Sequence, residues 1–180
     1  MGLLGASAPA AAGAFYLLET TVLTSSASSV TFSGLDAYSD YKHLQIRATM
    51  NNTQSSNDQT DLVVRFNSDT GDNYSRHALA AEGASVYSTG NANISLATVP
   101  KSVSRSSLGV WAGMVLDILD FSNTSKNTTI RALAGAANTS SAISLSSSAW
   151  YNTNAVTSIY LAPESADFRT GSRFSLYGVK

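Results

Sequence analysis

The stretch Leu44-Gln-Ile-Arg-Ala-Thr-Met50 decides the fold class. Leu44, Ile46, Ala48 and Met50 share one side of an extended chain, while Gln45, Arg47 and Thr49 share the other. Successive side chains of a strand point to opposite faces, so this alternation reads as a strand with one face buried. The same period of two recurs on both sides of it. Upstream, Phe15, Leu17 and Glu19 alternate with Tyr16, Leu18 and Thr20, and Val30-Thr-Phe32 follows a Ser25-Ser-Ala-Ser-Ser29 turn. Gly34 to Tyr41 reads as a loop. Downstream, Asn51 to Asp61 is polar and predicts a surface loop, after which Leu62, Val64 and Phe66 alternate with Val63 and Arg65.

Asn67-Ser-Asp-Thr-Gly-Asp-Asn73 has the Asx and Gly content of a turn. Tyr74 to Leu79 restarts a strand, and Ala84–Tyr87 with Asn91–Ala97 predicts a hairpin across Ser88-Thr-Gly90. Gly109 to Leu119 is the most apolar stretch. Val110, Ala112, Met114, Leu116 and Ile118 lie on one face and Trp111, Val115 and Leu119 on the other, which predicts a strand covered on both faces. Thr128 to Ala134, Ala142 to Trp150, Ala155 to Leu161 and Phe174 to Val179 supply the last strands. About ten short strands, with turn signals roughly every 8–15 residues and no amphipathic helix, predict an all-β antiparallel sandwich or barrel. A jelly roll is the favoured form, since it places eight or more strands in two sheets. Residues 15–180 form the single domain, and Met1 to Ala14, small and apolar around Pro9, reads as an extended N-terminal arm.

Composition narrows the function. Of 180 residues only 13% are charged, the formal net charge is -1, and cysteine is absent. Disulfides, thiolate metal sites and cysteine nucleophiles are thereby excluded. There is no basic excess to neutralise phosphates or anionic lipids, so neither nucleic acid nor a membrane surface is expected as a partner. The best candidate for a membrane span, Val110 to Leu116, is cut by Asp117 and Asp120 and falls well short of one. The N-terminus lacks the positive region of a signal peptide, and Ala6 breaks the myristoylation pattern. Serine and threonine make up about a quarter of the chain. With 43% hydrophobic residues in ordered alternation, disorder is not the reading. A neutral, hydroxyl-rich surface suits close packing of many copies.

The chemistry-bearing residues are sparse. His43 and His77 stand alone, without zinc-ligand spacing. No G-x-S-x-G elbow organises the many serines into a nucleophile site. Asp117 and Asp120 are the nearest approach to a glycosidase carboxylate pair, and a polar strand exit explains them more simply. Asn67, Asp69, Asp72 and Asn73 offer oxygens for calcium but lack the order of an EF-hand loop, so a hairpin turn is the simpler account. Tyr151, Asn152 and Asn154 after Trp150 would be the place for a sugar platform. Neither a cofactor nor a metal is expected, and the chain reads as non-enzymatic.

The C-terminal Gly171-Ser-Arg-Phe-Ser-Leu-Tyr-Gly-Val-Lys180 adds a resemblance. Taken with Val63-Arg-Phe-Asn-Ser-Asp-Thr-Gly-Asp-Asn-Tyr74, Tyr41-Lys-His-Leu-Gln-Ile-Arg47 and Ser28-Ser-Val-Thr-Phe-Ser-Gly34, it resembles small jelly-roll structural proteins of tailed bacteriophage virions. The likeness runs from about Phe15 to Lys180 and leaves the arm uncovered. It implies a module on the outer surface of the capsid or on the tail. The first expectation is therefore a capsid decoration (cement) protein, a homotrimer that clamps neighbouring major capsid protein subunits and stabilises the head shell. The alternatives are a tail, baseplate or tail-fibre module contacting the host, and, from another class, a carbohydrate-binding lectin or glycoside hydrolase. The expected assembly residues are Leu3, Leu4 and Pro9 of the arm together with Phe15. Burying Leu3 and Leu4 would contribute about 1.5–3 kcal/mol each before the cost of ordering the arm.

Overall fold

The computed structural model describes residues 14–55, 59–105, 109–137 and 141–180. Among them are twelve strands: β1 (Phe15–Val22), β2 (Val30–Ser33), β3 (His43–Asn52), β4 (Gln59–Phe66), β5 (Tyr74–Glu82), β6 (Ser85–Ile94), β7 (Ala97–Arg105), β8 (Ala112–Leu119), β9 (Thr128–Ala136), β10 (Ala142–Trp150), β11 (Ser158–Pro163) and β12 (Arg173–Val179). A short 3-10 turn, Leu35–Tyr38, interrupts the loop before β3. No helix among these residues is long and apolar enough to cross a membrane.

The strands form two layers. The smaller sheet runs β2-β11-β4-β7 and the larger β1-β12-β3-β8-β9-β10-β5-β6, with antiparallel neighbours throughout. They join at β3, whose last residues, Asn51 and Asn52, pair in parallel with Ser104 and Arg105 of β7. With the β8-β9-β10 meander taken as one unit, there are eight successive units from β2 to β11. In the smaller sheet the first pairs with the eighth, the eighth with the third and the third with the sixth. In the larger, the second pairs with the seventh, the seventh with the fourth and the fourth with the fifth. That double crossing between layers is the pairing of a jelly roll. β12 and β1 extend it beyond β3.

Between the layers lies one core. Phe32, Leu62, Val64, Phe66, Ile159 and Leu161 come from the smaller sheet, and Leu44, Ile46, Met50, Leu116, Ile118 and Leu176 from the larger, all fully buried. The alternation at Leu44–Met50 thus reports the core face directly. At one end Trp150 packs edge-on to Phe66, with centroids 5.6 Å apart, and stacks on Tyr74 at 6.4 Å. At another margin the ring of Tyr41 lies flat on β12 at Gly178, where an added Cβ would sit 2.4 Å from it.

Four expectations are corrected. Ser88-Thr-Gly90 is not a turn: β6 runs straight through it, and the turn lies at Gly83, whose φ of 57° suits glycine. β6 is an edge strand open on both faces, so hydroxyl and glycine side chains carry no burial penalty there. The polar stretch from Asn51 is not all surface loop, because Asn51, Asn52, Gln59 and Thr60 are buried in β3 and β4. At Asn51 hydrogen bonds offset part of that burial: Nδ2 donates to the Val110 carbonyl at 2.8 Å, and the N–H to Ser172 Oγ at 3.2 Å. The Asp69 loop is not a hairpin. It carries the chain from β4 in one sheet to β5 in the other. Finally, β7 escapes the sequence reading because Pro100 sits inside it. Its ladder with β4 slips there, Lys101 takes a φ of 53°, and the Lys101 N–H donates to Asp61 Oδ1 at 3.0 Å.

Candidate interaction surface

Asp69, Asp117, Asp120 and His43, considered for chemistry, are each engaged by the chain itself. Both Asp69 oxygens are occupied: Oδ2 accepts from Trp150 Nε1 at 2.7 Å, Oδ1 from the Gly71 N–H at 2.9 Å, and Asn73 Nδ2 lies within 3.2 Å of both. The Trp150 hydrogen bond, followed by those from Gly71 and Asn73, outweighs partial burial and holds this carboxyl below the usual carboxylate range. The loop is a clasp on a buried tryptophan. Asp117 accepts from Gln45 Nε2 at 2.8 Å and faces Arg131 Nη2 at 3.5 Å. Asp120, three residues on, turns to Lys126, whose hydrogen bond lowers its pKa most. The Asp120 N–H donates to His43 Nδ1 at 2.9 Å, so the ring proton of neutral His43 sits on Nε2. Among the described residues no three carboxylates or histidines come together as metal ligands do. Tyr151 is an exposed aromatic, while its neighbour Trp150 is sealed in the core.

The unusual surface is the outer face of the larger sheet. In a sandwich, strands carry large apolar residues inward and polar ones outward. β9 and β10 do the reverse over much of their length. Their inward residues include Ala132, Ala134, Ala136, Ala142, Ser144, Ser146 and Ser148, all buried. Small side chains let β7 of the other sheet lie close, and Ser144 Oγ donates to the Pro100 carbonyl of β7 at 2.6 Å. The outward residues include Leu133, Ile143 and Leu145, each exposed by more than half.

Strand register aligns these side chains with those of their neighbours. Val115, Leu133, Leu145 and Leu79 are directly opposite one another across β8, β9, β10 and β5. The adjacent row holds Gly113, Gly135, Ile143, Ala81 and Val86, ending on β6 with Val86 71% exposed. The first row is an aliphatic ridge. In the second, Gly113 and Gly135 face each other and leave a trough of about 780 Å³, walled by Val115, Leu133 and Ile143. The next row is polar, with Asp117, Arg131 and His77. Six aliphatic side chains exposed by about half amount to roughly 600 Å², the upper end for the largest apolar patch on a monomer.

β6 continues this surface as a sheet edge. Its ten residues contain neither charge nor proline. Folded monomers usually protect such edges with those devices; here a bulge at Asn93 interrupts only one end.

Of the expected assembly residues, Leu3, Leu4 and Pro9 lie outside the described residues. Phe15 opens β1, paired with Val179, and is 45% exposed. The Arg47 guanidinium sits 4.9 Å from the Phe15 ring and 4.8 Å from that of Tyr177. The outer band was missed as a site. Its signal was the second apolar face of Gly109–Leu119, and the expectation that this face is covered is corrected: Trp111 and Leu119 are half-buried, but Val115 is 38% exposed among the described residues. No family model, curated protein or solved structure matches the chain.

Proposed function

We propose that this chain is a structural protein of a tailed bacteriophage virion, a capsid decoration protein that acts by being bound in place rather than by catalysis. One observation carries the reading: over much of their length β9 and β10 turn alanines and serines into the core and Leu133, Ile143 and Leu145 outward. Such a face is costly to keep in water and suits a protein whose outer sheet is covered in its working state. The resemblance of the chain to small phage structural proteins supplies the setting, and the low charge suits subunits crowded on a shell. The partners in this reading are further copies of the chain and the major capsid protein. A tail, baseplate or tail-fibre position is the competing placement. Cryo-microscopy of the virion tests it: density for this jelly roll on the head shell supports decoration, and density on the tail alone overturns it.

A further inference from the structure

The occupant of the outer band can be named from its shape, on the reading that this face is an interface. We propose that it is a second copy of the same chain, packed face to face about a two-fold axis. An isologous contact requires one patch to carry both a protrusion and the recess that receives it. This patch does: the ridge Val115-Leu133-Leu145-Leu79 runs beside the trough at Gly113 and Gly135. A two-fold axis between them seats each copy's ridge in the other's trough. The charges at its margins suit self-contact as well. Asp117 is paired with Arg131 at 3.5 Å, and Arg47, directly opposite Val115 on β3, lies 4.9 and 4.8 Å from the rings of Phe15 and Tyr177 and donates to Gln45 Oε1 at 2.8 Å. The band's roughly 600 Å² lies just below the ~800 Å² each partner buries in a standard interface, a gap the polar row and β6 can fill. This two-fold pair departs from the three-fold ring expected from the resemblance.

Gly113 permits a clean test. An added Cβ there meets nothing within 4 Å and its φ is not left-handed, so a side chain enters the trough without disturbing the monomer. By contrast, a Cβ at Gly135 would press on the Ala142 carbonyl at 2.6 Å. Sedimentation equilibrium of the full chain across the micromolar range should give the mass of two chains. Gly113→Gln, and separately Leu133→Ser with Leu145→Ser, should weaken association at least tenfold while circular dichroism of the monomer is unchanged. Val22→Ser, exposed on the β1 edge away from the band, should leave the mass at two chains. A monomeric or trimeric wild type, or a dimer indifferent to Gly113→Gln, overturns the proposal. The reading beneath it is tested separately by attachment to the particle. If the wild type is monomeric but the Leu133→Ser, Leu145→Ser variant no longer attaches, the face binds another virion protein and only the second copy is refuted. If attachment is also unchanged, both fall.

Discussion

Replacing Asp69 with alanine removes the acceptor that holds Trp150. The indole Nε1–H is 2.7 Å from Asp69 Oδ2, and the Trp150 side chain is 1% exposed, so water cannot readily take the place of the carboxylate. The Gly71 N–H and Asn73 Nδ2 are near solvent and can rehydrate. The loss is then chiefly one hydrogen bond to a charged acceptor together with a stranded donor, about 2–3 kcal/mol. For a domain of this size that corresponds to a fall in Tm of roughly 4–12 °C. Thermal unfolding followed by near-ultraviolet circular dichroism reports it, since Trp150 stacks on Tyr74 and meets Phe66 edge-on. The neighbouring Asp72 is exposed and makes a matched control, with an expected change within about 0.5 kcal/mol. If both variants lose stability equally, or if calcium raises the Tm of the wild type, the clasp account is wrong and the loop is an ion site.

Further outcomes follow from other contacts. Gly178→Ala drives a methyl into the Tyr41 ring and should cost about 1–3 kcal/mol by denaturant titration. Asp69 and Asp120 both titrate below the usual 3.8 in the folded chain, so the unfolded chain binds their protons first. The stability they supply is complete above that value and is lost as pH falls through their folded values, which acid unfolding of Asp69→Ala and Asp120→Ala against wild type will show as a reduced slope. Burial pushes the Tyr74 phenol up to about 12, against the hydrogen bond it shares with Phe66. Stability from Tyr74 is therefore full below pH 10 and declines as pH rises toward 12. A spectrophotometric titration should show one of the eight tyrosines ionising last, and Tyr74→Phe should abolish that step.

The sequence was legible where one face of a strand meets the core. Leu44–Met50 and Leu62–Phe66 alternate because the core imposes it, and the jelly roll follows from many such strands. It was misleading where tertiary context overrides local chemistry. Pro100 belongs in β7 because a bulge accommodates its missing N–H, and Ser88-Thr-Gly90 stays extended because β5 supplies a ladder along its length. The outer band was only half legible. Val115 on a second apolar face gave the hint, but the ridge exists only once register places Leu133, Leu145 and Leu79 beside it. No local pattern encodes that alignment. Asp69 and Trp150, 81 positions apart, illustrate the same limit for the clasp.

The place of β12 bears on how the chain comes to be folded. β12 lies between β1 and β3, pairing Phe174 with Thr21 on one side and with Ala48 on the other. β1 and one edge of β3 therefore wait for residues 173–179, more than a hundred positions further along the chain. The β5–β6 hairpin and the β8-β9-β10 meander can form early from local contacts, but closure of the sandwich is a late, long-range event and should make refolding slow. During that interval β3 presents an open, apolar edge, which makes the nascent chain vulnerable to aggregation. Cutting the chain before Arg173 would make that vulnerable state permanent.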